Sequence, residues 1–274
     1  MTGDSEENPT TSSDRDLLTD TLRTATRAAC AGGAIVRRDF DRRVRVQEKR
    51  GADLLTEVDL AAEEVILAVL RAAHPEFGVV SEESGVTSAG SPYTWIVDPL
   101  DGTNNFVVGI PYVGVSIGLM RGDEALLGVI YQPLIDCLWD ARRGAGTRRN
   151  GEPMAVNGSA DIRRAVIAWV QGYPVTAEQS ARYQHALHGH VKRVLTNWAP
   201  ALDWCLLAEG RIDALISLDS EREDQVAGTL IAQEAGVLVT DLDGGPFTPE
   251  TTRILAARDS ALHDALREIL ATVE

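Results

Sequence analysis

Basic residues are scarce in this chain: 26 Lys and Arg against 41 Asp and Glu leave its 274 residues with a formal net charge of −15. Binding to nucleic acid or to anionic lipid through charge needs a basic surface that releases counterions or meets headgroups, so neither partner is expected. Cysteine is rare, and Cys30, Cys137 and Cys205 lie far apart in apolar surroundings. That pattern excludes a disulfide framework and a CxxC metal site, and it reads as buried free thiols. No apolar run approaches the roughly 18 residues of a membrane span. The N-terminus MTGDSEENPTTSSDRD is polar and acidic, with no signal-peptide h-region. A cytoplasmic protein is expected.

What is present is an ordinary globular composition, 44% hydrophobic and 24% charged, in a chain long enough for one large domain or two small ones. Residues 1–14 have almost nothing apolar to anchor them and read as a disordered leader. Helical spacing of Leu17, Leu18, Leu22, Ala25 and Ala29, continuing to Ile35 and Val36, predicts a long amphipathic helix. A second helix is predicted after Thr56, ending near His74-Pro75. Short apolar strands follow at 77–81, 93–98, 113–120, 125–131 and 136–141, up to a turn at Asn150-Gly151. Beyond it, strands at 165–169, 214–217 and 237–241 alternate with helices at 177–187, 202–209, 224–235 and from Ser260 onward. The sequence therefore predicts a layered α/β fold of two halves, 15–150 and 151–274, meeting along a cleft.

Acidic residues stand where they are otherwise awkward. The apolar run Tyr93–Val97 ends in Asp98-Pro99-Leu100-Asp101-Gly102-Thr103, where Pro99 is expected to end the ladder and Asp101 or Thr103 to cap a short helix. Phe77–Ser81 likewise ends in Glu82-Glu83, with Glu83 expected to point away from Glu82. Downstream, Asp224 closes the acidic run 219–224 and is suited to cap the helix that follows. These three element ends offer carboxylates without His or Cys, a donor set for Mg²⁺ rather than Zn²⁺. A like-charge pair at 4 Å costs about 4 kcal/mol at an effective dielectric of 20, so such a cluster binds a phosphate only with divalent cations between them. His185, His188 and His190 form an HxxHxH run that reads as a solvated helix end.

Glu82-Glu83-Ser84, the block from Trp95 through Asp98-Pro99-Leu100-Asp101-Gly102-Thr103 to Phe106, and Asp224-Gln225-Val226-Ala227-Gly228 resemble the signature blocks of the inositol monophosphatase family. Asp53-Leu54-Leu55-Thr56-Glu57-Val58-Asp59 matches a fourth block, and the resemblance runs in order over about residues 20 to 270. It implies a five-layer αβαβα sandwich and a Mg²⁺-dependent, lithium-sensitive phosphoric monoester hydrolase. Two to three Mg²⁺ ions are implied, with Mn²⁺ as a substitute, acting on a small phosphate ester, and a homodimer is expected. By position, Glu82, Asp98 and the Leu100 carbonyl would hold one ion and Asp98, Asp101 and Asp224 a second. Glu82 would help with a third, carrying water that attacks phosphorus in line. Asp53 and Thr103 would orient and deprotonate that water, and the Gly102 and Thr103 amides would meet the phosphate.

The specificity segments depart from the family's pattern. Trp198-Ala199-Pro200-Ala201 aligns with a segment that usually reads GSAA or GTAA beside the substrate ring. Ser217 stands where inositol-hydrolysing members carry a substrate-binding Glu, and Glu223 where Trp is common. Trp198, Ala199 and Ser217 are therefore the expected specificity residues, and inositol monophosphate is expected to be a poor substrate. The substrate class stays open among sugar, polyol, amino alcohol and nucleotide phosphates. One alternative is a bisphosphate-nucleotide 3′-phosphatase, with Trp198 stacking on adenine. Another is a non-catalytic regulatory protein that keeps the fold, against which the full ligand set argues.

Overall fold

The computed structural model describes residues 12–49, 54–159 and 161–273. Asp53 and most of the expected leader lie outside them. Helix α1 (Ser12–Asp39) starts inside the stretch read as leader. It packs along α2 (Glu57–Ala73), and β1 (Val46–Glu48) pairs antiparallel with β2 (Leu54–Thr56) between them. The chain continues through β3 (Gly78–Ser81), β4 (Gly85–Thr87), β5 (Tyr93–Asp101) and the short α3 (Thr103–Val108). Then come β6 (Gly114–Arg121), β7 (Glu124–Gln132), β8 (Cys137–Arg142), β9 (Thr147–Arg149) and β10 (Glu152–Met154). The remainder holds β11 (Val166–Gln171), α4 (Ala177–Leu187), β12 (Arg193–Leu195), α5 (Pro200–Ala208) and β13 (Ala214–Leu218). It closes with α6 (Arg222–Glu234), β14 (Leu238–Asp241), β15 (Arg253–Ala257) and α7 (Ser260–Leu270).

Eight strands form one sheet in the order β10-β9-β8-β7-β6-β5-β3-β4, and five form another in the order β12-β11-β13-β15-β14. The first sheet is antiparallel except where β3 runs parallel to β5. Helices α1 and α2 bury Ala25, Ala28, Ile66 and Leu70 against Trp95, Val97, Ile117 and Val129 on its outer face. Helices α5 and α6 fill the space between the sheets, joining Ile130 and Trp139 of the large sheet to Val170, Leu215 and Ala256 of the small one. On the outer face of the small sheet, α4 and α7 contribute Tyr183, Leu187, Leu262 and Leu266 to a third core. The layers read αβαβα, as expected. No helix among the described residues is long and apolar enough to cross a membrane.

Two boundaries differ from the sequence reading. The turn at Asn150-Gly151, with both φ angles positive, joins β9 to β10 within one sheet, so the first half runs on through Met154 rather than closing at 150. Pro99 does not end the ladder either: β5 passes it through a bulge between Asp98 and Asp101 and pairs again at Asp101 with Gly114. Extending the strand carries both acids into the interior.

The seat of α6 depends on two glycines. Gly118 and Gly128 face each other across β6 and β7. A Cβ on Gly128 would lie 2.6 Å from the Ala227 carbonyl oxygen, and one on Gly118 2.8 Å from the Val226 side chain. The missing side chains let the helix backbone rest directly on the sheet, which draws the first turn of α6 toward β5.

Candidate metal centre

Asp98, Asp101 and Asp224 each bring a carboxylate oxygen within 4.8 Å of the others. Asp98 and Asp101 are 1% and 2% exposed, and Asp224 is partly buried. Asp98 is oriented by its own turn, its Oδ1 accepting the Leu100 N–H at 2.9 Å. Asp101 accepts the Leu202 N–H at 3.3 Å through Oδ2, while its Oδ1 is buried without a protein partner. Asp224 accepts from the Ser220 hydroxyl at 3.0 Å. It does not cap α6 as expected: that helix starts at Arg222, and Asp224 occupies its first turn. Nor do Asp101 or Thr103 cap α3, whose N-cap is Gly102.

Burial raises the carboxyl pKa of all three residues, and mutual repulsion adds to it. Asp101 is pushed up to about 8, chiefly by burial, with Asp203 and Glu82 adding to the rise. Asp98 stands well above the usual range through burial and then the charges of Glu82, Asp101 and Asp224. Asp224 is raised by burial and by Asp101 and Glu82. This set of three acids is packed tightly with one oxygen orphaned, and among the described residues no cationic side chain forms an ion pair with it. Divalent cations with oxygen ligands supply the positive charge, so the donor set fits Mg²⁺.

Glu82 stands beside this group, its charge acting on Asp98, and it is tied to Lys49, whose Nζ lies 2.9 Å from its Oε1. The same ammonium donates to Glu83 Oε1 at 2.7 Å. The expectation that Glu83 points away from Glu82 is thus corrected: β3 ends at Ser81, strand alternation stops there, and both side chains converge on Lys49. Burial pushes Glu83 up to about 7 against the pull of Lys49.

Thr103 donates to Asp59 Oδ1 at 2.8 Å and approaches the Leu100 carbonyl oxygen at 3.0 Å. The expected partner, Asp53, lies outside the described residues. Asp59 is fully buried in the first turn of α2, where its Oδ2 accepts the Thr56 N–H at 2.8 Å and the Thr56 hydroxyl caps the helix in return. Sequence reasoning missed Asp59, although the Thr-x-x-Asp capping signature was there to find it. Burial raises its pKa against the hydrogen bonds from Thr56 and Thr103.

Around this centre, Gly102 has φ +88, and a Cβ there would lie 3.0 Å from the Tyr112 carbonyl oxygen and 3.1 Å from that of Trp198. Ala199 is buried at the N-cap of α5. Trp198 is 62% exposed and sits at φ +56, a backbone state that costs on the order of 1–3 kcal/mol for such a residue. Asp203, also missed, is 1% exposed and accepts from Asn197 at 2.7 Å and from the Tyr112 hydroxyl at 2.9 Å. Burial lifts it to about 6 despite those two bonds. Ser217 is not on a pocket wall: both faces of β13 are covered, it is 0% exposed, and its hydroxyl accepts from Gln225 at 3.2 Å. His185, His188 and His190 are all exposed.

The model of the inositol monophosphatase family matches residues 17–274. A fructose-1,6-bisphosphatase/inositol-1-monophosphatase of Aquifex aeolicus is 32% identical over 254 residues, covering 90% of this chain and 94% of that one. The Nus factor SuhB of Pasteurella multocida is 32% identical over 255 residues, covering 90% and 95%. The crystal structure of the extragenic suppressor protein SuhB from Bartonella henselae superposes with a TM-score of 0.87 at 31% identity, over 91% of this chain and 98% of that one.

Proposed function

This chain belongs to the inositol monophosphatase family, a family of phosphatases, and on that premise we propose that it is a Mg²⁺-dependent phosphomonoesterase acting on a small phosphorylated metabolite. The observation that carries the reading is the close packing of Asp98, Asp101 and Asp224 around the unpartnered Oδ1 of Asp101. These three, with Glu82 and the Leu100 carbonyl, would hold two to three Mg²⁺ ions, and Mn²⁺ would substitute. When bound, such ions neutralise the phosphate and make water a stronger nucleophile.

The chain's own groups do the rest. The amides of Gly102 and Thr103 donate to phosphate oxygens and fix phosphorus for in-line attack by water. Thr103 accepts a hydrogen bond from that water. Its own proton is directed at Asp59 Oδ1, so the water's proton passes through the hydroxyl to a carboxylate whose buried position favours protonation. A P–O bond forms to water, the ester P–O bond breaks, the departing alkoxide takes a proton from solvent water while Asp59 returns its own to solvent, and alcohol and inorganic phosphate leave. Trp198 bounds the leaving-group side, and the buried Ala199 reaches it only by setting the start of α5 beside that residue. Ser217, being buried, shapes that side only through Gln225.

Phosphate release tests this reading, measured over sugar phosphates, histidinol phosphate, inositol phosphates and adenosine bisphosphates. Release with Mg²⁺ that is lost in excess EDTA and restored by Mg²⁺ is expected. Hydrolysis at full rate in excess chelator overturns it.

A further inference from the structure

Of the five tryptophans, Trp95, Trp139, Trp169 and Trp204 are exposed by 3% or less, whereas Trp198 is 62% exposed. An indole left in water gives up a large apolar area that a fold normally buries. Its backbone is unusual as well. Among the described residues, the other non-glycines with positive φ are Asp136, Asn150 and Asp219, which tolerate that region. Trp198 has no such excuse in its side chain.

The surrounding structure holds it there. Asn197, just before it, accepts from Asn105 of α3 at 2.7 Å and donates to the buried Asp203 of α5 at 2.7 Å. Asp203 also accepts the Tyr112 hydroxyl. Ala199, just after it, caps α5, the helix whose Leu202 N–H meets Asp101. Trp198 is therefore fastened on both sides, with its carbonyl against Gly102. A second exposed ring, Tyr173 at 49%, brings its hydroxyl 3.5 Å from Asn104 Nδ2. The Trp198 backbone and the Tyr173 hydroxyl thus adjoin residues 102–104, the segment that meets the phosphate in the reading above.

Resting on that reading, we propose that Trp198 and Tyr173 form an aromatic rim at the mouth of the carboxylate centre, which selects phosphate esters whose leaving group carries a planar ring. Ring faces reward stacking area, whereas a polyol needs fixed acceptors for its hydroxyls, and Ser217 is buried away from that role.

The test compares kcat/KM for phenyl phosphate and glycerol 2-phosphate, with Mg²⁺, in the wild type, Trp198→Gly, Trp198→Phe and Tyr173→Ala. Glycine accepts the φ of this position, so the backbone is kept. The phenyl-to-glycerol ratio is expected to fall roughly threefold to tenfold in Trp198→Gly and Tyr173→Ala and to recover in Trp198→Phe. Because Trp198 is the exposed indole, acrylamide quenching of tryptophan emission gives a second readout. Phenyl phosphate should protect it and glycerol 2-phosphate should not. An unchanged ratio in Trp198→Gly, or equal protection by both esters, overturns the rim. So does a particle mass by light scattering that is smaller for Trp198→Gly than for the wild type at constant ratio, which would make the rim a subunit contact. If no ester is hydrolysed with Mg²⁺, the phosphatase reading fails, and the quenching comparison alone decides the rim.

Discussion

Asp101 caps a helix that starts about a hundred residues further along the chain: its Oδ2 accepts the Leu202 N–H at 3.3 Å, in the first turn of α5. The residue at that helix's own N-cap, Ala199, has no side chain to do so. One oxygen is thereby fixed by the helix and the other is left buried and free for a cation. The same contact sets the position of the Trp198 turn relative to the acids.

Exchanging charge for an isosteric amide separates these two roles. Asp101→Asn and Asp224→Asn should each lower turnover by about 10² or more, as expected for a lost charge in a cation site. In chelator at pH 8, Asp101→Asn should melt no lower than the wild type, since the amide oxygen still accepts from Leu202 and one buried repulsion is gone. His188→Ala, on an exposed helix end, should change neither quantity. Steady-state kinetics and thermal melts check all three, and near-wild-type turnover in either Asn variant removes that residue from the centre.

Without cations, stability should fall as pH rises. Burial pushes the Asp101 carboxyl up to about 8 in the folded chain, with Asp98 and Asp224 also raised, against roughly 4 for an unfolded aspartate. Between those values the folded state holds protons that the unfolded state releases, so the stability present below about pH 4 is lost progressively up to about pH 8. Mg²⁺ replaces the protons, and its increment in Tm should therefore be larger at pH 8 than at pH 5. A Mg²⁺ increment that shrinks with rising pH contradicts this.

Gly128→Ala should disturb the centre from the opposite side of α6. The added methyl meets the Ala227 backbone, and overpacking of this kind costs roughly 1–3 kcal/mol. It also lifts the first turn of α6, so turnover should fall along with Tm. Gly90→Ala, where nothing lies within 4 Å, is the control that should do neither.

Thr103→Val removes the hydroxyl shared by Asp59 and the Leu100 carbonyl. Leaving a buried carboxylate short of a donor costs about 1–3 kcal/mol, and turnover should drop with it. Thr103→Ser keeps the hydroxyl and should restore most of both. Turnover in the Val variant equal to that in the Ser variant would show that the hydroxyl takes no part.

Much of this was legible in the chain because local rules govern it. Helix α4 occupies the predicted residues 177–187, and the apolar run before Asp98 does form a buried strand. What stayed hidden depends on partners distant in sequence. Local spacing cannot tell that Glu82 and Glu83 meet at Lys49, nor that Asp101 serves α5 rather than the adjacent α3. Strand β15 was overlooked, although it pairs with both β13 and β14 at the heart of the small sheet. Its run Arg253–Ala257 follows a polar stretch of Thr and Pro that reads as loop. Alignment with the family's substrate-binding Glu makes Ser217 a specificity residue by position alone, and position does not tell that both faces of β13 are covered.

The shared helical layer between the two sheets has a temporal consequence. As the chain leaves the ribosome, Asp98 and Asp101 emerge with the large sheet, while Asp224 arrives only with α6, the helix that must settle on Gly118 and Gly128 before the third acid is in place. The repulsive trio cannot form early, so the first sheet can fold without carrying its full electrostatic burden. The centre closes like a clasp fastened last, once α6 has settled on the large sheet.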